Sequence, residues 1–321
     1  MADFSGKVLA LAGGVGGAKL ALGLSRILAP HQLTIVVNTG DDETFHGLHV
    51  SPDLDTMLYT LAGLSNPETG WGLAGESFRV LEMLNRYGAD TWFNLGDVDM
   101  ATHIRRTQLL GEGATLSEVT AELCQRLNVR HRIAPMSDDP VRTFLKTDQG
   151  DLPMQDYFVR LRCEPSAEDV SYVGAEAARP SDEFSRALDE ADLVVFCPSN
   201  PLLSTGPILA LPTVRERLGK GDPARLSVAV SPIIGGEAVR GPAAKLMTEL
   251  GHEATCVGVA KMYQDICDVL VIDKQDSEAA PAIASLGIRP LAAPTIMNTE
   301  EDKVALARLI LELGGGFQHD E

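Results

Sequence analysis

Apolar positions along the chain recur in two rhythms, and their alternation predicts an α/β architecture. From Lys7 to Ala12 runs a short apolar stretch that stops at Gly13-Gly14, as a strand buried on both faces does when it reaches a turn. Between Lys19 and Leu28 the apolar residues Leu20, Leu24, Ile27 and Leu28 return at helical spacing. Leu33 to Val37 is rich in β-branched residues and ends in Asn38-Thr39-Gly40. Strand, glycine turn, helix and strand in this order make a βαβ opening, which points to a parallel sheet.

The middle third changes rhythm. Helical patterns run from about Asp55 to Leu64, Glu76 to Tyr87 and Leu116 to Leu127, the last preceded by Thr115 with Glu118 in capping-box spacing. Short strand-like pieces follow near Arg132-Ile133 and Thr143-Phe144-Leu145. Residues 66–184 therefore read as a mostly helical inserted lobe with a few short strands. From Asp192 the first rhythm resumes, with strands at Leu193 to Cys197, Leu226 to Val230 and Val269 to Ile272, and a closing helix over Thr299 to Leu313. Residues 1–65 and 185–321 form the α/β core of this reading.

Composition narrows the chemistry. A net charge of −18 excludes a broad nucleic-acid or anionic-membrane surface, so any phosphate must be held by backbone N–H groups, a few cations or a metal ion. The five cysteines contain no CxxC pair, which argues against a disulfide framework or zinc site and fits a reduced cytoplasm. No apolar stretch approaches the roughly 20 residues of a membrane-spanning helix. Neither nucleic acid nor membrane is expected as a partner.

Each distinctive segment falls just after a predicted strand, where open parallel sheets bind ligands. Gly13-Gly14-Val15-Gly16-Gly17-Ala18-Lys19 offers a backbone cradle for phosphate. It is neither a dinucleotide fingerprint, because Lys19 stands at the third glycine, nor a Walker A loop, because Leu20 follows the lysine. A tight turn without ligand is its plainer reading. Asp41-Asp42 and Asp53/Asp55 place four carboxylates within a short span of loops. Such a group costs stability unless a cation neutralises it, although Asp53 alone could be a helix cap. Asn94 to Asp99 leads to Thr102-His103-Ile104-Arg105-Arg106, where the arginines suit phosphate and His103 suits a base or a donor. Either could equally be structural. Ser199-Asn200 and the stretch from Ser231 to Lys245, with Gly235-Gly236, Arg240 and Lys245, could face a nucleotide or simply connect elements.

Together these segments resemble the 2-phospho-L-lactate transferase family. The resemblance is carried by Leu11 to Lys19, Val37 to Asp42, His46-Gly47-Leu48 and Ser51-Pro52-Asp53-Leu54-Asp55-Thr56. It continues through Leu95-Gly96-Asp97 with Asp99, Ala101-Thr102-His103, Met136 to Pro140, Pro198 to Pro201, Gly206-Pro207-Ile208 and Ser231 to Gly235. It implies a Rossmann-like core, assembly as a homodimer and a magnesium-dependent reaction in coenzyme F-420 biosynthesis. In that reaction the ribityl hydroxyl of the deazaflavin Fo attacks the phosphorus of a guanosine diphosphate-linked phospho-acid and GMP leaves. Carried over, the resemblance implies Asp53, Asp55, Asp41 and Asp42 as catalytic residues, with Asp53, Asp55 and Asp42 on the metal. Gly13, Gly14, Gly16, Gly17 and Lys19 would face the diphosphate, and Ser199, Asn200, Gly235 and Gly236 the guanosine. Asp97, His103 and Arg105 complete the expected binding set. Val98 departs from the family, where arginine commonly follows this Gly-Asp, and Arg105 or Arg106 would have to replace its contact. A nucleotide-sensing regulator would use the glycine loop but not the aspartates. A nicotinamide-dependent dehydrogenase would need an acid where the second strand ends in Asn38.

Overall fold

The computed structural model describes residues 4–238 and 241–319; Arg240 lies outside them. Seven parallel strands form the central sheet: β1 (Val8–Ala12), β2 (Leu33–Val37), β3 (Arg132–Pro135), β4 (Leu193–Phe196), β5 (Leu226–Val230), β6 (Val269–Asp273) and β7 (Arg289–Ala293). Their spatial order is β7-β6-β5-β4-β1-β2-β3. The chain runs outward from β1 to β3 and then returns to the other side of β1 to lay down β4. β1 and β4 therefore flank the topological switch point, where loops leave in opposite directions and open a crevice. Every residue of β1, β2, β4, β5 and β6 is buried, because helices cover both faces of the sheet. β7 was not foreseen: it is an edge strand carrying Arg289 and Pro290, and Pro interrupts the apolar signal while remaining tolerable at an edge.

One face is covered by α1 (Gly14–Ser25), α2 (Pro52–Ala62), α4 (Leu116–Arg126) and α5 (Glu300–His319), whose Leu20, Leu54, Val119 and Ile310 share one apolar cluster with the strands. α1 and α5 meet backbone to backbone at Gly23, where a Cβ would overlap the Lys303 carbonyl. α4 starts on the foreseen capping box, with Thr115 accepting from Glu118 N and Glu118 from Thr115 N. The opposite face packs Phe184, Leu188, Ile208, Met247 and Ile283.

Residues 66–184 hold helices at Arg79–Arg86, α3 (Asp99–Gly111) and α4. They also hold β3 and an antiparallel sheet of Arg142–Thr147, Gly150–Pro153 and Ala167–Val173. The segment is woven into the main sheet through β3, which pairs with β2 from Thr34↔Arg132 to Val37↔Pro135. Local pattern could show that a strand existed there, but not which strand it would meet. Among the described residues no helix is long and apolar enough to cross a membrane.

Candidate functional site

A cleft of about 760 Å³ opens at the carboxyl ends of β1 and β4. α1 follows β1 after a single residue, and close approach explains the glycines there. A Cβ on Gly13 would stand 2.6 Å from Asp53 Oδ2 and from Ser204 Cβ, and one on Gly17 would stand 2.7 Å from Ser199 Oγ. A Cβ on Gly16 would overlap the Pro198 carbonyl, and Gly14 has φ of +60°. The loop after β4 thus lies directly against the loop after β1. Ser199 ties them, its Oγ accepting from Gly13 N at 3.1 Å and donating to Gly13 O at 2.7 Å.

α2 was expected to start at Asp55 but starts at Pro52, whose fixed φ suits the first helical position. Asp53 and Asp55 are therefore both in its first turn. Two residues along a helix is roughly 200° of rotation, so the two carboxylates face different surroundings. Asp53 turns to the glycine loop, accepting from Gly14 N at 2.7 Å and from Asn38 Nδ2 at 3.0 Å. Asp41, from the loop after β2, accepts from the same Asn38 nitrogen at 2.6 Å. Burial pushes Asp53 up to about 6 against the Asn38 and Gly14 hydrogen bonds, with Asp42 adding repulsion. Burial, then the charges of Asp53 and Asp42, holds Asp41 well above the usual carboxylate range. Asp42 itself faces away from the cleft: its Oδ2 meets His49 Nε2 at 3.0 Å and accepts from Ser51 Oγ at 2.8 Å.

Asp55 enters a different cluster. Arg106 of α3 grips both its oxygens, at 3.1 Å from Nη1 and in a shorter contact from Nη2, and is itself fully buried. His103 lies one turn back, with Nδ1 3.3 Å from Arg106 Nη1 and 3.7 Å from Asp55 Oδ2. Its Nε2 is 3.3 Å from Asp99 Oδ2 without the alignment of a hydrogen bond, and Tyr59 OH donates to Asp99 Oδ1 at 2.6 Å. Burial raises Asp99, but the adjacent His103 imidazole, the hydrogen bond from the Tyr59 hydroxyl and the Arg106 charge outweigh it and hold the carboxyl below its usual value. Burial works against the charge on Arg106, yet the Asp55 carboxylate keeps its pKa above the ordinary guanidinium value. Burial and the charges of Asp55 and Asp99 push the Tyr59 hydroxyl well up.

The expected site residues divide. Gly13, Gly14, Gly16, Lys19, Asp41, Asp53, Asp55, His103, Ser199 and Asn200 line the cleft. Lys19 Nζ donates to the Met297 carbonyl at 2.8 Å, and Asn200 Oδ1 accepts from Leu202 N and Leu203 N. Gly17 lies behind the cleft wall, buried against Ser199. Asp97 is elsewhere: it accepts from Ser77 Oγ, Arg79 N and Val80 N, and so caps the Arg79–Arg86 helix. Arg105 points to the other side of α3 and pairs with Glu122 at 2.6 Å. Gly235 donates to Asp276 and, with Gly236, forms a hairpin turn that does not line the cleft. Lys245 is turned to Glu249 and Tyr157.

The three aspartates expected to share magnesium are not gathered into one ligand set; among the described residues no group of three or more His, Cys, Asp or Glu forms one. Helix geometry separates Asp55 from Asp53, and Asp42 turns its Oδ2 to His49 and Ser51 while its buried Oδ1 has no hydrogen-bond partner among the described residues. Asp53 with Asp41 beside it does fit a magnesium ion, which takes one or two protein carboxylates and completes its shell with water and substrate phosphate. Both are buried, repel each other and form no ion pair with Lys, Arg or His among the described residues. Sequence reasoning assigned no helix over α3 and so missed Tyr59 and Asp99 as partners. Yet Asp99, His103 and Arg106 recur at i, i+4 and i+7, a polar stripe that marks one helix face. Gln155, which donates to the Asp41 carbonyl at 3.1 Å, left no local signal.

The profile of the family described as 2-phospho-L-lactate transferase CofD matches residues 8–294. The chain belongs to the 2-phospho-L-lactate transferase family. A phosphoenolpyruvate transferase of Streptomyces griseus is 43% identical over 96% of this chain and 98% of its own length. A 2-phospho-L-lactate transferase of Methanosarcina mazei is 38% identical over 95% of this chain and 99% of its own. A crystal structure of a UPF0052 family member from Bacillus halodurans, 15% identical, superposes with a TM-score of 0.65 over 96% of this chain and 100% of its own, which speaks for the fold alone. Membership in the 2-phospho-L-lactate transferase family makes the chain a transferase, and its quoted motifs surround the cleft: the glycine loop, the Asp41 loop and the Ser51 to Thr56 turn.

Proposed function

We propose that the protein transfers a phospho-acid from a guanosine diphosphate-linked donor to the terminal ribityl hydroxyl of the deazaflavin Fo, in coenzyme F-420 biosynthesis. The hydroxyl oxygen bonds to the phosphorus that bears the acid, the bond from that phosphorus to the GMP oxygen breaks, and the hydroxyl proton passes to a base. The products are a phosphodiester and GMP. The observation that carries this reading is the buried Asp41/Asp53 pair beside the N-terminus of α1, in a cleft of about 760 Å³.

Phosphoryl transfer needs positioning and charge neutralisation more than covalent chemistry. Asp53 would hold magnesium, which when bound would neutralise the diphosphate and the leaving GMP phosphate. Asp41, with its carboxyl held well above the usual range, suits the acceptance of a proton at neutral pH. Lys19, Ser199 and Thr295 line the part of the cleft next to the glycine loop and suit the guanosine diphosphate. Trp71, Phe93 and Phe158 also line the cleft and offer aromatic faces suited to a flat deazaflavin ring. His103 and Tyr59 line the same cleft.

The test is a magnesium-dependent assay with Fo and guanylylated phospholactate, phosphoenolpyruvate and phosphoglycerate, read by mass spectrometry. One donor giving coupled product and GMP establishes the function and names the acid. No product from any donor, with guanine nucleotide still bound, overturns it in favour of a sensor.

A further inference from the structure

We propose that Asn38 is the positioning residue that fixes the spacing of Asp41 and Asp53. In dinucleotide-binding folds the end of the second strand carries an acid that reaches out to a ribose. Here that position holds an asparagine that is fully buried and turned inward. Its Nδ2 donates to Asp41 Oδ1 at 2.6 Å and to Asp53 Oδ2 at 3.0 Å, two hydrogens for two carboxylates, one from the loop after β2 and one from the first turn of α2. The Leu203 carbonyl, at 3.3 Å, is a weaker third acceptor from the loop after β4.

The amide orientation is fixed independently, because Asn38 Oδ1 accepts from Gly40 N at 2.8 Å. A flipped amide would set its oxygen against both carboxylates and its nitrogen against an N–H. Asparagine is thus the side chain of this size that can accept on one side and donate twice on the other. Aspartate has the same shape but no donor, so it would add a third negative group where two already repel. An alanine would leave two buried carboxylates and a buried N–H without their partners. The fold position that elsewhere reads a ribose serves here to hold a proton acceptor at a set distance from a metal-binding carboxylate.

This inference rests on the roles proposed above for Asp41 and Asp53, and its test has readouts that do not depend on turnover. Asn38→Asp is compared with the unmodified chain by titration calorimetry with magnesium, by thermal melting, and by kcat and donor KM. We expect magnesium affinity to change at least tenfold and kcat to fall about 100-fold, with donor KM within about threefold. Wild-type values for both magnesium affinity and kcat in this isosteric variant would overturn the inference. So would a change confined to donor KM, which would make Asn38 a nucleotide-reading residue. If Asn38→Asp does not fold, the triple variant Asn38→Asp/Asp41→Asn/Asp53→Asn exchanges donor and acceptor across both contacts. Recovery of a cooperative melt supports the positioning role, and continued failure to fold overturns it. Absence of coupled product from the unmodified chain would instead strike the proposed function and leave the magnesium and melting results to be read on their own.

Discussion

Two sets of carboxylates line one cleft, and they are built in opposite ways. Asp55 and Asp99 sit in a balanced cluster: a buried arginine grips Asp55, and a histidine and a tyrosine hydroxyl serve Asp99. Asp41 and Asp53 sit among each other's charges, tied by a neutral amide and one backbone N–H. The electrostatics follow, with Asp99 below its usual value and Asp41 and Asp53 above theirs. A protein keeps a repelling pair of this kind where a substrate, a proton or a cation completes it. The balanced cluster holds α2 to α3; the unbalanced pair is where we propose that the chemistry takes place.

The largest effect that could break this contrast is on turnover. Asp53→Asn should lower kcat by about 10³-fold while the protein still folds, which steady-state assays and a melting curve would check. A variant with near-wild-type turnover would end the distinction between the two sets. The next effect is on stability. Asp55→Asn leaves Arg106 buried without its ionic partner, at a cost of about 3 kcal/mol in urea unfolding, clearly more than Asp53→Asn.

A third, smaller effect is on pH dependence in magnesium-free buffer, where the two sets have opposite signs. Asp53 is raised in the fold, so its contribution is most favourable below its ordinary value of 3.8 and is lost as pH rises through about 6. Asp99 is lowered, so its contribution is present above its ordinary value of 3.8 and is lost as pH falls through the lower folded one. Asp53→Asn should flatten the stability profile between those two pH values, and Asp99→Asn should flatten only its acid limb. Urea unfolding at stepped pH separates them. The smallest effect is at Arg105, whose half-exposed pair with Glu122 should make Arg105→Ala worth less than about 1 kcal/mol, with turnover within twofold. A large loss of turnover would bring Arg105 back to the substrate.

The strands of the core were legible because strands buried on both faces read as apolar runs, and β1, β2, β5 and β6 lie close to where the pattern put them. The closing helix, expected from Thr299 to Leu313, runs from Glu300 to His319. β7 and α3 were not legible. β7 carries Arg and Pro at an edge, and α3 hides its helical period behind polar residues that face the cleft. The glycine loop was visible, but the reason for it was only half visible: Gly13, Gly16 and Gly17 are also required by Asp53, the Pro198 carbonyl and Ser199, residues brought there from far along the chain.

By itself, then, the sequence determined the α/β class, the family, and several of the segments that line the cleft, since each depends on local pattern or on residues in order. The tertiary structure alone decided which aspartates work together. Asp53 and Asp55 are near neighbours in the chain and opposed on a helix. Asn38 and Asp41 come from the loop after β2 and Asp53 from the first turn of α2, and they meet only because α2 packs against the sheet beside the ends of β1 and β2. A hydrogen bond or an ion pair depends on distance and direction in space, and neither is written in the spacing of residues along the chain.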